Sequence, residues 1–500
     1  ISPSAGTGTT NVTGWEATTD ATGEKYYIIG DAGKNCWDQW IATGKLAWEI
    51  NQDSKLIYSF KLSEYNYGYN NPRSYLKDST GYAVTGGSST SINITDDGTD
   101  YKYTLRDYTF LKGKGRNKNQ LNVLDYMLKA GMFDLSVKLG LNKAPGKYTT
   151  TKSGATFEGG KGYVNITDPS TTLYGDLQVD VTFPEDLLLT VGYSMRRDHA
   201  ESNQWNLYNW KDYDSTIGDD TTNHFSVMEG SQLMNSVYTQ AQYDLIKKML
   251  ICYAGLRLDY WKNYDGKSRY NTTENSYDTT TDWNISPKAS LVFKPGLELL
   301  FVKLESLRAS AGSAYNPPNI YQLYKYWTYY STEYNPNPDL KPEKSWSWEM
   351  GGDLTFFNKM FIVTGTYFAS TVENLIYYMV LDSSTKKYEN AGEGKIHGYE
   401  LEGKLYLFDY FELYGNMTKT HTEVTENDTD PLSVGKQFVG VPEMMYNAGI
   451  KVLYKYAEGC LNWRYCDHVY NNSDNSDTIE GVYKSYDTIK LLDLKVSLMP

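Results

Sequence analysis

Apolar and polar residues alternate with a period of two in many separate segments of this chain, and no other feature restricts its fold as strongly. In residues 176–183 the even positions are polar and the odd positions apolar, and similar alternation is found in 133–141, 345–356, 399–407 and 492–498. A period of two gives a β-strand one apolar and one polar face. The twelve residues of 345–356 exceed a typical strand of about 5–6 residues and suit a tilted strand that crosses a membrane.

Two kinds of connection alternate between these segments. The short ones are 51–54, 184–186, 357–359 and 408–410, and the long polar ones are 71–99, 142–171, 199–231, 261–283, 316–344, 420–438 and 471–485. Outer-membrane barrels show this alternation, with tight turns on the periplasmic side and long loops outside. A soluble sandwich has no reason to place its long loops at one end. The pattern therefore predicts an all-β transmembrane antiparallel β-barrel.

The composition agrees with a barrel and excludes several other classes. The hydrophobic fraction is 40% and the mean hydropathy is −0.57, which is too polar for a bundle of membrane helices. The 47 Tyr and 12 Trp residues suit aromatic girdles at the two membrane interfaces, although a soluble secreted β-protein is also rich in Tyr. The net charge of −13 argues against nucleic acid as a partner. Cys460 and Cys466 are either a local pair or two unlinked thiols.

The order of turns and loops assigns a direction to each strand. About seventeen strands are expected, the first near 38–50 and the last near 486–498, while region 100–130 is ambiguous and could hold an extra hairpin. Residues 1–36 are expected to be the tail of an external loop, and 37–500 the barrel. Because single-chain bacterial barrels have even numbers of strands, we expect this barrel to be incomplete at both ends.

Five segments carry motifs beyond the general barrel pattern. They are 284–295, 307–323, the Asn-Pro-Asp-Leu-Lys-Pro-Glu stretch 337–343, 367–376 and 390–400. In this order and spacing they resemble the TonB-dependent outer-membrane receptors, strongly over 284–498 and only by strand pattern over 37–283. The prolines and Asn/Asp residues of 337–343 and the glycines of 390–398 suit tight loop architecture rather than ligand contacts.

The resemblance implies a 22-stranded barrel with a plugged lumen that imports scarce nutrients such as ferric siderophores, cobalamin or haem. Seventeen of the 22 strands would then be present, and the plug domain, with the segment that binds TonB, would lie outside these residues. No His lies between Tyr315 and Leu340, where haem receptors of the family carry one, so haem is the less expected ligand.

Ligand contacts are predicted from aromatic side chains on the long loops. Aromatic rings provide rigid contact area at low entropic cost. The alternative is that these rings belong to the upper membrane girdle. The first candidate loop is 315–334, with Tyr315, Tyr321, Tyr324, Tyr326, Trp327, Tyr329, Tyr330 and Tyr334; the second cluster is Trp205, Tyr208, Trp210 and Tyr213. Arg196 should face the lumen near the outer rim, where it could bind an anionic ligand or pair with lumen acids.

The predicted function is that of an outer-membrane receptor for TonB-coupled uptake of a ferric siderophore or similar metal chelate. The expected partners are the TonB complex, the chelate, and outer-membrane lipid including lipopolysaccharide. We expect no enzymatic activity, catalytic group, cofactor or resident metal, since the five His residues lack metal-ligand spacing. The alternatives are a passive or substrate-selective porin and a surface protein that docks phage or adheres.

Overall fold

The computed structural model describes residues 10–19, 25–184, 186–217, 224–270, 273–329, 332–382, 384–476 and 488–498. The first strands are β1 (Thr10–Val12), β2 (Glu16–Thr19), β3 (Lys25–Ile28), β4 (Gly30–Asp31), β5 (Lys34–Asn51), β6 (Ser54–Asn70), β7 (Arg73–Ser74), β8 (Thr90–Asp96), β9 (Thr99–Leu105), β10 (Gly115–Ala130), β11 (Phe133–Lys143), β12 (Gly146–Thr156), β13 (Gly159–Phe183), β14 (Leu187–Leu207), β15 (His224–Ile246) and β16 (Leu250–Tyr270).

The rest of the described chain continues the same wall. Its elements are β17 (Thr273–Tyr277), β18 (Thr280–Phe293), β19 (Leu297–Leu299), β20 (Val302–Asn316), helix α1 (Ile320–Tyr324), β21 (Trp327–Tyr329), β22 (Thr332–Asn335), β23 (Glu343–Phe356), β24 (Phe361–Asp382), β25 (Thr385–Leu407), β26 (Phe411–Asn427), β27 (Met444–Tyr454), β28 (Ala457–Cys466) and β29 (Ile489–Leu498). Short 3₁₀ turns cover Asp107–Thr109, Phe408–Tyr410 and Pro431–Ser433. The helices are short, and none in the described ranges has the length and apolar character needed to cross a membrane.

The long strands form one antiparallel sheet that runs from β5 and β6 through β10 to β29 and makes up a barrel wall. Register pairs join each long strand to the next, for example Tyr126 to Val137 between β10 and β11 and Leu401 to Met417 between β25 and β26. The outward face carries large apolar side chains that are exposed, which is the surface a barrel offers to lipid. They include Leu177, Val191, Val237, Leu256, Ile285, Leu291, Leu307, Met350, Leu401, Leu413 and Leu461.

The inward face is polar and its side chains are paired with one another. Asp180 accepts hydrogen bonds from Gln178 at 2.9 Å and from Thr190 at 2.5 Å. Further round the wall, Arg308 Nη1 lies 2.7 Å from the Asp353 carboxylate. The apolar residues of the alternating segments therefore face lipid, and the polar residues face the water-filled interior. The prediction of an all-β antiparallel fold is confirmed.

One end of the barrel has tight turns and the other has long projections; we call them the turn end and the loop end. β13 has 25 residues and β15 has 23, although about ten residues are enough for a tilted strand to cross a membrane. These strands therefore continue beyond the membrane at the loop end, into stretches such as 142–171 and 199–207 that the sequence presents as loops. No face of such an extension meets lipid, and part of it is covered by protein, since Val164 and Leu207 are fully buried, so apolar alternation is not required there.

A small folded unit stands at the loop end beside β5 and β6. β1 pairs with β8 and β8 with β9, while β2 pairs with β3 and β4 with β7. Its core consists of Val12, Tyr27, Ile29, Leu76, Ile92, Ile94, Leu105 and Phe110. Residues 10–31, expected as part of a loop tail, thus contain four short strands, and the ambiguous region 100–130 holds nearly all of β9 and the whole of β10.

β5 and β29 are the first and last strands of the barrel wall, and nearly all their residues are exposed. β5 pairs with β6 and β29 with β28, and within the described residues no register joins β5 to β29. Leu494 of β29 is 73% exposed and Trp37 of β5 is 64% exposed. The four cysteines are free thiols, so Cys460 and Cys466 are unlinked.

Candidate ligand-binding site at the barrel mouth

Helix α1 lies against the inner wall at the loop end, because one ring fits between two glycines. Tyr324 is 1% exposed, and a Cβ placed on Gly230 or Gly266 would lie 2.7 Å or 2.5 Å from that ring. Only strand positions without a side chain leave room for it. Asn319 starts the helix with a capping box in which its side chain accepts from the Gln322 amide at 2.9 Å, which stabilises this short turn.

Two of the sequence motifs hold the base of the same loop. The Asn337 side chain donates to the Tyr388 carbonyl at 2.7 Å, and Asn390 Oδ1 accepts from the Lys341 amide at 2.7 Å. The Asn390 side chain returns a hydrogen bond to the Lys341 carbonyl at 2.8 Å. Motifs 337–343 and 390–400 therefore bind each other, which confirms that they serve loop architecture.

Several of the predicted ligand-binding aromatics are packed into the protein. Tyr324 and Tyr326 are 1% and 8% exposed, so they supply packing rather than contact area for a ligand. Trp327 stacks on Tyr334 with ring centroids 3.8 Å apart, and the Tyr315 hydroxyl lies 3.9 Å from Met234 Sδ. The side chain of Tyr329 and the whole of Tyr330 lie outside the described residues.

The second predicted cluster divides in the same way. Trp210 is 7% exposed and packs with Leu111 and Ala155, while its indole nitrogen donates to the Thr156 carbonyl at 3.3 Å. Trp205 is half-buried in β14, opposite Val164 of β13. Tyr208 is 65% exposed on the loop that follows β14.

Tyr321, on the first predicted loop, reaches an open surface near Tyr148 and Tyr388. It is 40% exposed, and its pKa is raised by burial and further by the neighbouring Tyr148 and Tyr388 hydroxyls. Tyr148 is itself 42% exposed, and burial together with Tyr163 and Tyr67 raises its pKa to about 12. Side chains of α1, β12 and β25 thus lie in the same region of the mouth.

A basic corner lies on the opposite face of the same wall, because Arg116 and Lys147 pair one position along from Gly115 and Tyr148. The Tyr213 ring is contacted by the ammonium groups of Lys114 and Lys147, at 4.5 Å and 4.4 Å from its centroid. Burial and Tyr67 raise the pKa of Tyr213 to about 12, while Arg116 acts in the opposite direction. We call the inner-face rings Tyr67, Tyr148, Tyr321 and Tyr388 the mouth site, and the outer-face groups Lys114, Arg116 and Lys147 the basic corner.

The charge of the basic corner is only partly neutralised. Arg116 Nη2 lies 2.8 Å from Glu64, but its buried Nε has no hydrogen-bond partner among the described residues. Lys147 lies 3.9 Å from Asp214, whose side chain is 90% exposed. Exposed pairs of this kind hold little energy, so the corner retains positive charge.

Arg196 faces the lumen below the mouth, as its parity predicts. It lines a recess of 630 Å³ together with Lys61, Asp176 and Arg257. Its Nε lies 2.7 Å from Asp198, so the guanidinium is engaged by a lumen acid. Arg257 is held in the same manner by Asp259 at 2.7 Å.

Sequence reasoning missed Tyr67, Tyr148, Tyr388 and the basic corner. These residues lie in strands or short linkers, outside the two aromatic loops from which ligand contacts were predicted. The signal that was present is the density of Tyr in 65–69, but only the register of the wall shows which rings meet. In the described part of the chain, no group of three or more His, Cys, Asp or Glu side chains is placed to hold a metal ion.

Comparisons with known proteins agree with this architecture. A family model described as TonB dependent receptor-like, beta-barrel matches residues 6–498. Among solved structures, the ferric yersiniabactin uptake receptor FyuA from Yersinia pestis is 14% identical with a TM-score of 0.62. The matched region covers 97% of this chain and 66% of the FyuA chain. The copper transporter OprC is 13% identical with a TM-score of 0.64, covering 96% and 65%.

The ferric citrate transporter FecA in the unliganded form is 10% identical with a TM-score of 0.64, covering 94% of this chain and 64% of its own. Identities this low show a shared fold. This chain spans about two thirds of the length of these proteins. Because the family model covers nearly the whole sequence, the chain belongs to the TonB-dependent receptors and forms a β-barrel of the bacterial outer membrane.

Proposed function

We propose that this protein is a receptor for uptake of an anionic ferric chelate of the siderophore type, and that the chelate binds at the mouth site. The observation that carries the proposal is a group of tyrosines on the inner face of the wall. Tyr67 and Tyr148 stand on either side of Gly115 in register, and Tyr321 lies near enough to Tyr148 and Tyr388 for their hydroxyls to raise its pKa. Tyrosine faces suit the flat organic groups of a chelate.

The neighbouring structures point in the same direction without identifying the ligand. FyuA is named for ferric yersiniabactin, FecA for ferric citrate and OprC for copper. Their shared property is a metal ion or its chelate as cargo. A passive porin is not favoured, because the family is one of transport receptors.

A fluorescence titration of the purified protein with ferric tris-catecholate, ferric tris-hydroxamate and ferric citrate tests the proposal. We expect at least one chelate to bind, and the double variant Tyr148→Ala/Tyr321→Ala to weaken it about tenfold, since each ring contributes about 0.5–1.5 kcal/mol. Tyr82→Ala is the matched control, because Tyr82 is 76% exposed in the turn before Ala83. Binding of none of the chelates, or equal affinity in all variants, would contradict the site.

We further propose that uptake is coupled to TonB and that a plug occupies the lumen in the working receptor. The polar inner wall with its 630 Å³ recess offers hydrogen-bonding groups for such a domain. Uptake of radioactive iron with the bound chelate should stop when TonB is deleted from the host cell. Uptake that continues unchanged would refute the coupling while leaving the binding site untouched.

We propose as well that additional strands complete the wall between β5 and β29. Both strands are exposed on both faces, and unpaired edges expose backbone donors and acceptors that barrels normally satisfy. In the receptor isolated from outer membranes, hydrogen exchange at 36–48 and 490–497 should be as slow as in β25. Rapid exchange at either strand would contradict this arrangement.

A further inference from the structure

A narrow groove runs along the lipid-facing side of β23, β24 and β25. Ala369 of β24 stands in register between Trp348 of β23 and His397 of β25, and Thr371 stands between Trp346 and Lys395. A small side chain between large ones leaves a recess of 270 Å³, lined also by Tyr367 and Ile396.

Basic groups gather at the loop end of this groove. His397 is paired in register with His421 of β26, and their rings are 4.9 Å apart. Lys395 stands opposite Glu423 in register, but within the described part of the chain it forms no ion pair with any carboxylate. The adjacent Lys419, by contrast, lies 3.6 Å from Glu443. Lys395 and the two imidazoles are therefore the groups left open to a further partner.

The height of the groove relates it to the membrane. Leu401 and Tyr399 face outward below His397 on the same strand, being 46% and 39% exposed, so the apolar band ends where the imidazole begins. Trp346 and Trp348 are 49% and 39% exposed at the same level. Aromatic belts of this kind mark the boundary between acyl chains and headgroups.

We propose that this groove is a binding site for a phosphorylated lipid of the outer leaflet. An acyl chain would lie over Ala369 and against Trp348, and the phosphate would contact Lys395, His397 and His421. The apolar floor selects a lipid over free phosphate, because an inorganic anion has nothing to place there. Basic side chains beside an apolar surface are a general means of headgroup recognition.

Native mass spectrometry of the full chain tests the proposal, using lipid A with both phosphates and the same lipid with both phosphates removed. Wild-type protein should bind the phosphorylated form about fivefold or more tightly than the other. The variant Lys395→Gln/His397→Gln/His421→Gln should lose this preference. Ala369→Phe, which fills the groove, should weaken binding of both forms.

The matched control is Lys262→Gln. Lys262 also faces outward near aromatic residues, 5.1 Å from the Tyr264 ring, but it does not line this groove, so its removal should leave the preference unchanged. Equal binding of the two lipids by the wild type would overturn the proposal, and so would a triple variant or an Ala369→Phe variant that binds like the wild type. Since no ferric chelate enters the assay, this result is independent of the proposed transport function.

Discussion

The Lys325 ammonium occupies a site built from neutral groups. It is 4% exposed and donates to Ser202 Oγ at 3.3 Å. Gln204 follows on the same face of β14, and Ser226 of β15 donates to the Tyr326 carbonyl at 2.7 Å. In the described residues no carboxylate pairs with it. Loss of hydration lowers the pKa of Lys325 from 10.5 to about 8.

This pKa predicts how the docking of residues 317–326 depends on pH. Between pH 8 and 10.5 the undocked lysine holds a proton that the docked lysine has lost, so docking becomes more stable as pH rises through this window. Below pH 8 docking carries the full cost of the buried charge, roughly 3 kcal/mol. Hydrogen-exchange protection factors of 320–326 should therefore increase from pH 8 to 10, and Lys325→Met should be strongly protected at every pH. A flat wild-type profile would contradict the prediction.

At the scale of single elements, α1 depends on two glycines of neighbouring strands. A methyl group on Gly266 would lie 2.5 Å from the Tyr324 ring, whereas one on Gly459 of β28 would meet nothing within 4 Å. Gly266→Ala should therefore release α1 and speed hydrogen exchange in 320–326, while Gly459→Ala should not. Overpacking of this kind costs about 1–3 kcal/mol.

A second substitution tests whether the ring is the cause. Tyr324→Leu in the Gly266→Ala background removes the atoms that the methyl group meets, so protection of 320–326 should partly return. If the double variant exchanges as fast as Gly266→Ala alone, the helix is not held by this fit. Barrel stability, followed by the temperature at which the folded band is lost in electrophoresis, should stay nearly constant throughout.

The elements differ in how well the sequence predicts them. The segment 345–356 alternates, and β23 spans Glu343–Phe356, because lipid on one side and water on the other impose a period of two. The upper part of β13 lies beyond the lipid and is partly covered by protein, with Val164 fully buried, so residues 159–171 lack a period-two pattern and resemble a loop. Tyr321 could be predicted from its aromatic loop, but Tyr148 and Tyr388 could not, since only the register of distant strands brings them to it.

At the scale of the whole molecule, the wall must separate lipid from a wet lumen, and adjacent residues of one strand test this directly. Leu401 faces outward near the middle of the apolar band of β25 and is 46% exposed, while Glu402 beside it faces inward and its carboxylate lies 2.8 Å from Lys404 Nζ. We expect Leu401→Arg to destabilise the folded barrel by about 2–4 kcal/mol in lipid vesicles, since a charge near the bilayer midplane has no water to hydrate it. Glu400 is the neighbour of Leu401 on its other side and also faces inward. Glu400→Arg should cost less than about 1 kcal/mol because the lumen is polar, and unlike a change at Glu402 it leaves the ion pair with Lys404 in place. Urea titration of tryptophan fluorescence in vesicles measures both, and equal costs would mean that the outward face of this strand is not in contact with lipid.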